Sequence, residues 1–216
     1  MSSLTRTHWV AVAAVVLALL FAGAATVASA GDGDGPKTPS TDSADAGFAR
    51  DMSVHHQQAV EMSFIVRERT QDEEVRRLAY DIINTQANQR GMMQGWLDMW
   101  GLSQVATDRE PMEWMAKEGG DHAGHGAPAG DAMMPGMATP EQLQQLGKLS
   151  GKAAEVEYLQ LMITHHNGGI AMAQGCVDLC VPGAEQELAK GMVTGQESEV
   201  ELMVNLLKKR GAQPRT

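Results

Sequence analysis

The stretch Met52-Ser53-Val54-His55-His56-Gln57-Gln58-Ala59-Val60-Glu61-Met62 returns 110 residues later as Met162-Ile163-Thr164-His165-His166-Asn167-Gly168-Gly169-Ile170-Ala171-Met172. The same offset sets residues 48–97 beside 158–207 without a gap, and nine of these fifty positions are identical. They are Met52/Met162, His55/His165, His56/His166, Met62/Met172, Leu78/Leu188, Ala79/Ala189, Gln86/Gln196, Met93/Met203 and Leu97/Leu207. Phe48/Tyr158, Val60/Ile170 and Ile83/Val193 are close substitutions. Each half reads as a helical hairpin with one apolar stripe, and two such stripes must be buried against each other. This predicts an all-α fold, a four-helix bundle made of two duplicated hairpins. The long connection between the halves permits a crossover, as in ferritin-like bundles. A repeat kept only for structure should retain Leu, Ile, Val and Ala, yet six of the nine identities are His, Met or Gln.

Punctuation residues set the expected boundaries. A helical pattern begins near Ser43 and runs to about Thr70, and Asp72 caps a second helix that stops at Gly101. Residues 102–138 carry few apolar repeats and many Gly and Pro, and read as a long connection. Thr139-Pro140-Glu141-Gln142 restarts a helix with an N-cap, a first-turn proline and the glutamine of a capping box. After a break near Gly151 a third long helix reaches about Cys180, Val181-Pro182-Gly183 turns the chain, and the last helix ends around Arg210-Gly211. The hairpin repeats are thus 44–101 and 152–210, within a domain spanning 44–210.

The polar identities fall where a core should be dry. At about 100° per residue, Phe48, Met52, His55, His56 and Ala59 share one stripe, with Met62 beyond them on the His55 side. Tyr158, Met162, His165, His166, Gly169 and Met172 repeat the pattern. On the partner helices Gln86, Gln89 and Met93, and correspondingly Gln196, Glu199 and Met203, share a stripe with Leu97 and Leu207. A polar group buried without a partner costs about 1–3 kcal/mol, so such side chains either bind something or hydrogen-bond one another. Metal ligation by Met52, His55, His56, Met62, Met162, His165, His166 and Met172 is the first reading, and a hydrogen-bonded His/Gln core the second. Imidazole with thioether selects Cu(I), with silver as its mimic, whereas imidazole with carboxylate suits Cu(II) or zinc. Asp51, one turn before His55, is placed to orient its ring, and Leu161 replaces it in the second half. Either member of each His pair can be the primary ligand on spacing alone.

A second soft-donor group lies in the connection: His122, His125, Met133, Met134 and Met137, set among Gly, Ala and Pro. It suits capture of a soft cation, or is an ordinary loop with incidental His and Met. Met99, Met112 and Met115, interleaved with Trp96, Trp100 and Trp114, read as a small apolar cap.

Composition bounds the rest. Seventeen basic residues face 27 acidic ones, a net charge of −10, which opposes nucleic-acid binding and favours cations. Arg6, an apolar run from Trp9 to Ala25 and the small residues Ala28-Ser29-Ala30 read as a secretory signal peptide over 1–30, with an uncleaved membrane anchor as the other reading. Residues 31–43 are a flexible linker. Either way the domain is expected outside the cytoplasm. Cys176 and Cys180, four apart in an oxidising compartment, read as a strained local disulfide near a helix end, with thiolate ligands or free thiols as the alternatives. The 15 methionines against nine aromatic residues carry meaning through their neighbours, since Met also serves as a core filler.

The paired Met-x-x-His-His segments, together with Met134-Pro135-Gly136-Met137 before a capped helix and with Gln86 and Gln196, resemble the exported domain-of-unknown-function family 305. The resemblance covers about 44–210. It implies a ferritin-like four-helix fold and, for characterised members, copper binding and tolerance. Gly169 stands where that family usually has Ala, a change expected to loosen packing and spare the ligands. The expected function is non-enzymatic metal sequestration. The competing readings are a di-iron oxidoreductase, which needs Glu-x-x-His motifs absent here, and a partner-binding bundle without metal.

Overall fold

The computed structural model describes residues 38–116 and 133–215. They form α1 (Ala44–Arg69), α2 (Glu73–Met99), the short α3 (Glu113–Ala116), α4 (Pro140–Lys148), α5 (Gly151–Leu179) and α6 (Ala184–Lys209). The described residues contain no strand. The expected leader and the linker up to residue 37 lie outside the described residues, as do His122 and His125.

Local chemistry starts and stops the helices near the expected places. The Ser43 hydroxyl accepts from the Ala46 amide, Asp72 accepts from that of Val75, and Thr139 and Gln142 close a full capping box. Gly101 and Gly211, themselves 110 apart, both adopt positive φ (66° and 70°). There the Leu102 and Ala212 amides reach back to the carbonyls of Leu97 and Leu207, which satisfies the last carbonyls of α2 and α6. One detail differs from expectation, in that the connection contains α3. The break expected near Gly151 falls at Leu149-Ser150, and Gly151 opens α5.

Helix α1 packs on α2 and α5 on α6, while the principal contact between the hairpins is α1 against α5. These two run antiparallel: Asp45 meets Val181, His55 meets His165, Ser63 meets Tyr158 and Thr70 meets Glu155. Their contact is buried in two apolar clusters. One gathers Met62, Val66, Ile82, Tyr158, Leu159, Met162, Met203 and Leu207. The other gathers Phe48, Met52, Met93, Leu97, Trp114, Met134 and Met172. Each fully buried large side chain contributes about 1.5–3 kcal/mol.

A polar lock ties one end of the bundle. Glu155 accepts from Thr70 Oγ1 at 2.5 Å and from Arg210 Nε at 2.6 Å. Arg210 also pairs with Asp72 at 2.9 Å and donates to the Leu206 carbonyl. One guanidinium thus joins the cap of α2 to the start of α5 and the end of α6.

The segment 134–138 crosses both central helices. Gln58 of α1 clamps Ala138 through two bonds, Nε2 to its carbonyl at 2.9 Å and Oε1 from its amide at 2.7 Å. On α5 the residue at the equivalent position is Gly168, and a Cβ there would collide with the Pro135 carbonyl. Gly136 is at φ 78°, against the Thr164 carbonyl. One half grips the segment with an amide, and the other makes room for it.

Two substitutions test this arrangement. Arg210→Ala leaves Glu155 buried without its counter-charge and is expected to cost about 3 kcal/mol of unfolding free energy, measured by urea denaturation. Gly168→Ala is expected to dislodge residues 134–138, seen as faster amide exchange of Ala138, while the helical circular dichroism is retained.

Candidate metal centre

Four imidazoles meet where α1 crosses α5, and all are buried. The His55 and His165 rings stack with centroids 3.8 Å apart, and His166 lies 6.3 Å from His165. Each Nε2 has an oxygen partner. His55 bonds the Pro135 carbonyl at 3.1 Å and His165 the His55 carbonyl at 3.1 Å. His56 bonds Gln89 Oε1 at 2.8 Å, and His166 bonds Glu199 Oε2 at 2.7 Å. Carbonyl and carboxylate oxygens only accept, so the Nε2 of a neutral ring donates; the tautomer is assigned from these partners. The proton is thereby kept off Nδ1. All four Nδ1 atoms are buried and have no hydrogen-bond partner.

Burial also keeps rings uncharged. Desolvation, with Coulombic repulsion from His166 adding to it, lowers His55 to about 4 against the Pro135 bond. Desolvation and the neighbouring His55 lower His56 to about 3, and desolvation with three neighbouring imidazoles holds His165 well below its usual value. A neutral ring whose Nε2 donates outward and whose Nδ1 lone pair has no partner matches the state of a ligating histidine held by a second-layer acceptor. The chemistry of each ring therefore fits metal ligation, although no three of these imidazoles bring donor nitrogens within 4.8 Å of one another.

The two halves are not equivalent around this layer. Gln89 and Glu199 sit 110 apart and hold equivalent rings, one through a neutral amide and the other through a carboxylate that is 25% exposed. Gln86 and Gln196 each keep a buried Oε1 without a partner. The expectation that Gly169 loosens packing is corrected: a Cβ there would lie 2.5 Å from Gln196 Oε1, so the glutamine amide fills the space.

Met52, Met62, Met162 and Met172 are fully buried. The antiparallel crossing sorts them, with Met52 and Met172 in the apolar cluster with Met93 and Met134, and Met62 and Met162 in the cluster with Met203. The thioethers therefore flank the imidazole layer as two pairs. Asp51 does not orient His55, which corrects a second expectation. Its Oδ2 accepts from the Met112 amide at 2.7 Å and from Trp114 Nε1 at 2.9 Å, anchoring the connection. Trp114 then covers Gly47 and meets Phe48 edge-on, giving an apolar cap, from which Met99 is excluded at the surface. In the connection, Met134 is buried, Met137 packs against its cluster and Met133 is exposed.

Sequence reasoning missed three contributors: the Pro135 carbonyl, Gln58 and Gly168. Met-Pro-Gly-Met had drawn attention to its sulfurs, whereas its backbone is what touches His55. The only available signal was a Gln and a Gly facing each other across the repeat. The cysteines form the disulfide Cys176–Cys180, at the C-terminal end of α5.

The sequence pattern of the domain of unknown function DUF305 matches residues 45–207. A crystal structure of a DUF305 protein from Streptomyces coelicolor, described as a candidate secreted protein, is 60% identical. It covers 82% of this chain and 99% of its own, with a TM-score of 0.73. A DUF305 fragment from Deinococcus radiodurans is 30% identical, covering 77% and 96%, at 0.62. CopM in its Cu(I)-bound form shares the fold at 20% identity, covering 76% and 96%, at 0.57. No curated protein matches the chain. On the match over 45–207 and the 60% identity across nearly the whole Streptomyces chain, this protein belongs to the DUF305 family.

Proposed function

We propose that this protein is an exported, non-enzymatic binder of copper, with silver as the closest mimic. It sequesters the ion within a ferritin-like four-helix bundle formed by two duplicated hairpins over 44–210. The carrying observation is the set of four buried Nδ1 atoms without partners, on rings whose Nε2 protons are committed elsewhere. His55, His56, His165 and His166 would supply nitrogen, and Met52, Met62, Met162 and Met172 sulfur. The soft imidazole–thioether combination favours Cu(I). The His166–Glu199 contact adds a negative charge that also suits Cu(II) or zinc. CopM, of the same fold, is described with Cu(I), Cu(II) and silver bound, which supports the choice of metal. Export rests on the leader-like residues 1–30, with the description of the Streptomyces relative in support. No helix among the described residues is long and apolar enough to cross a membrane.

Titration of the untagged mature protein with Cu(I) against a chromogenic chelator tests this reading. His56→Ala and His166→Ala are each expected to weaken binding by about tenfold or more, on the order of 1.4 kcal/mol. Circular dichroism checks that both variants stay helical. Unchanged affinity in a folded variant lacking all four imidazoles would defeat the reading.

The metal-free protein should also show an acid-labile core. His55, His56 and His165 have folded values below the unfolded value of about 6.5. Below that pH the unfolded chain therefore binds more protons. Their contribution is fully present above about 6.5 and is lost as pH falls, down to about 4 for His55 and about 3 for His56, at up to ~1.4 kcal/mol per pH unit for each ring. Glu185 acts in the opposite sense, because burial pushes it up to about 9. Urea denaturation across this range is therefore best read in the Glu185→Gln background.

A further inference from the structure

The 110-residue offset that pairs the histidines also pairs the two ends of the bundle, and there the chemistry is unequal. At one end Glu155 is neutralised by Arg210. The equivalent of Glu155 is Asp45, which is also buried, but the equivalent of Arg210 is Trp100. A further acid, Glu185, stands where the first half has Val75. One end sets a base between its acids Glu155 and Asp72, whereas the other holds Asp45 and Glu185 with no base paired to them. Among the described residues, no Lys, Arg or His pairs with Asp45 or Glu185.

Glu185 is only 5% exposed, and neither of its carboxylate oxygens has a hydrogen-bond partner. Asp45 Oδ1 accepts from the Val181 amide at 3.2 Å. Ligand atoms of Asp45, Glu185 and Cys180 lie within 4.8 Å of one another. The two carboxyls nevertheless form no hydrogen bond, so they do not share a proton across a direct contact. Oxygens bound to one cation at about 2.0–2.6 Å stand up to roughly 4–5 Å apart, and this spacing fits that geometry. Two ionised carboxylates with a divalent ion are neutral together, so their mutual attraction offsets part of the cost of burying them.

We propose that Asp45 and Glu185 form a second cation site, for a hard divalent metal held through carboxylate oxygens beside the Cys176–Cys180 disulfide. The sulfurs in that bond carry no thiolate charge, so oxygen donors set the preference. Asp45 precedes His55 by ten residues, about 15 Å along α1, so this site is separate from the imidazole layer. The cation takes the place that Arg210 fills at the opposite end.

Mn2+ is the probe, followed by the loss of its free-ion paramagnetic resonance signal. The chelator-treated protein, disulfide intact, is first given silver to occupy soft donors; the carboxylate variants serve as controls whether or not silver binds. The wild type is expected to take up one Mn2+ per chain, and Glu185→Gln and Asp45→Asn each to weaken uptake at least about tenfold. Mn2+ should raise the melting temperature of the wild type and leave that of Glu185→Gln unchanged. Without Mn2+, Glu185→Gln should melt no lower than the wild type, which guards against a folding defect. Absence of uptake up to about 1 mM Mn2+, or equal uptake by both variants, would overturn the proposal.

Discussion

Four imidazoles buried where α1 crosses α5 impose the constraint that the surrounding structure serves. Burial holds His55, His56 and His165, whose Nε2 partners are uncharged oxygens, neutral. A neutral ring still needs somewhere to send its one N–H. The acceptors come from four places: the facing helix α1 for His165, α2 for His56, α6 for His166 and the connection for His55. Helix register, hairpin pairing and the path of residues 134–138 are thus all coupled to the same layer. The Nδ1 lone pairs left over are the chemical product of this arrangement.

The 110-residue sequence repeat is followed closely by the helices and departed from at the points that carry polarity. Gln58 and Gly168 divide one task, the first binding the crossing segment and the second leaving it room. Gln89 and Glu199 hold equivalent rings with different charge. Glu155 has Arg210 beside it, whereas Asp45 has Trp100 at the matching position and Glu185 nearby. A single connection can lie on only one face of two related hairpins. Contact with it therefore breaks the equivalence of Gln58 and Gly168.

Helices were legible because their signals are local. Ser43, Asp72 and Thr139 cap the helices they precede, and Gly101 and Gly211 end α2 and α6 in a conformation that favours glycine. The stripe of His and Met was legible for a related reason, since helical periodicity places such residues on a buried face whatever they pack against. The partners of that stripe were not. Asp51 stood one turn from His55 and faces Trp114 instead, because the connection folds back over α1. Gly169 loses no packing, because the Gln196 amide from α6 fills its space.

Residue order alone thus determined an all-helical fold, the boundaries of its long helices, and a face carrying soft donors in both halves. All of these follow from interactions spanning a few residues, or from a fixed rotation per residue. Tertiary structure alone decided that His55 donates to Pro135, that the methionines flank the imidazoles as two pairs, and that Glu185 is left beside Asp45 without a base. Each of those depends on groups tens of residues apart meeting in space, and the register of that meeting is chosen by the packing of α1 on α5.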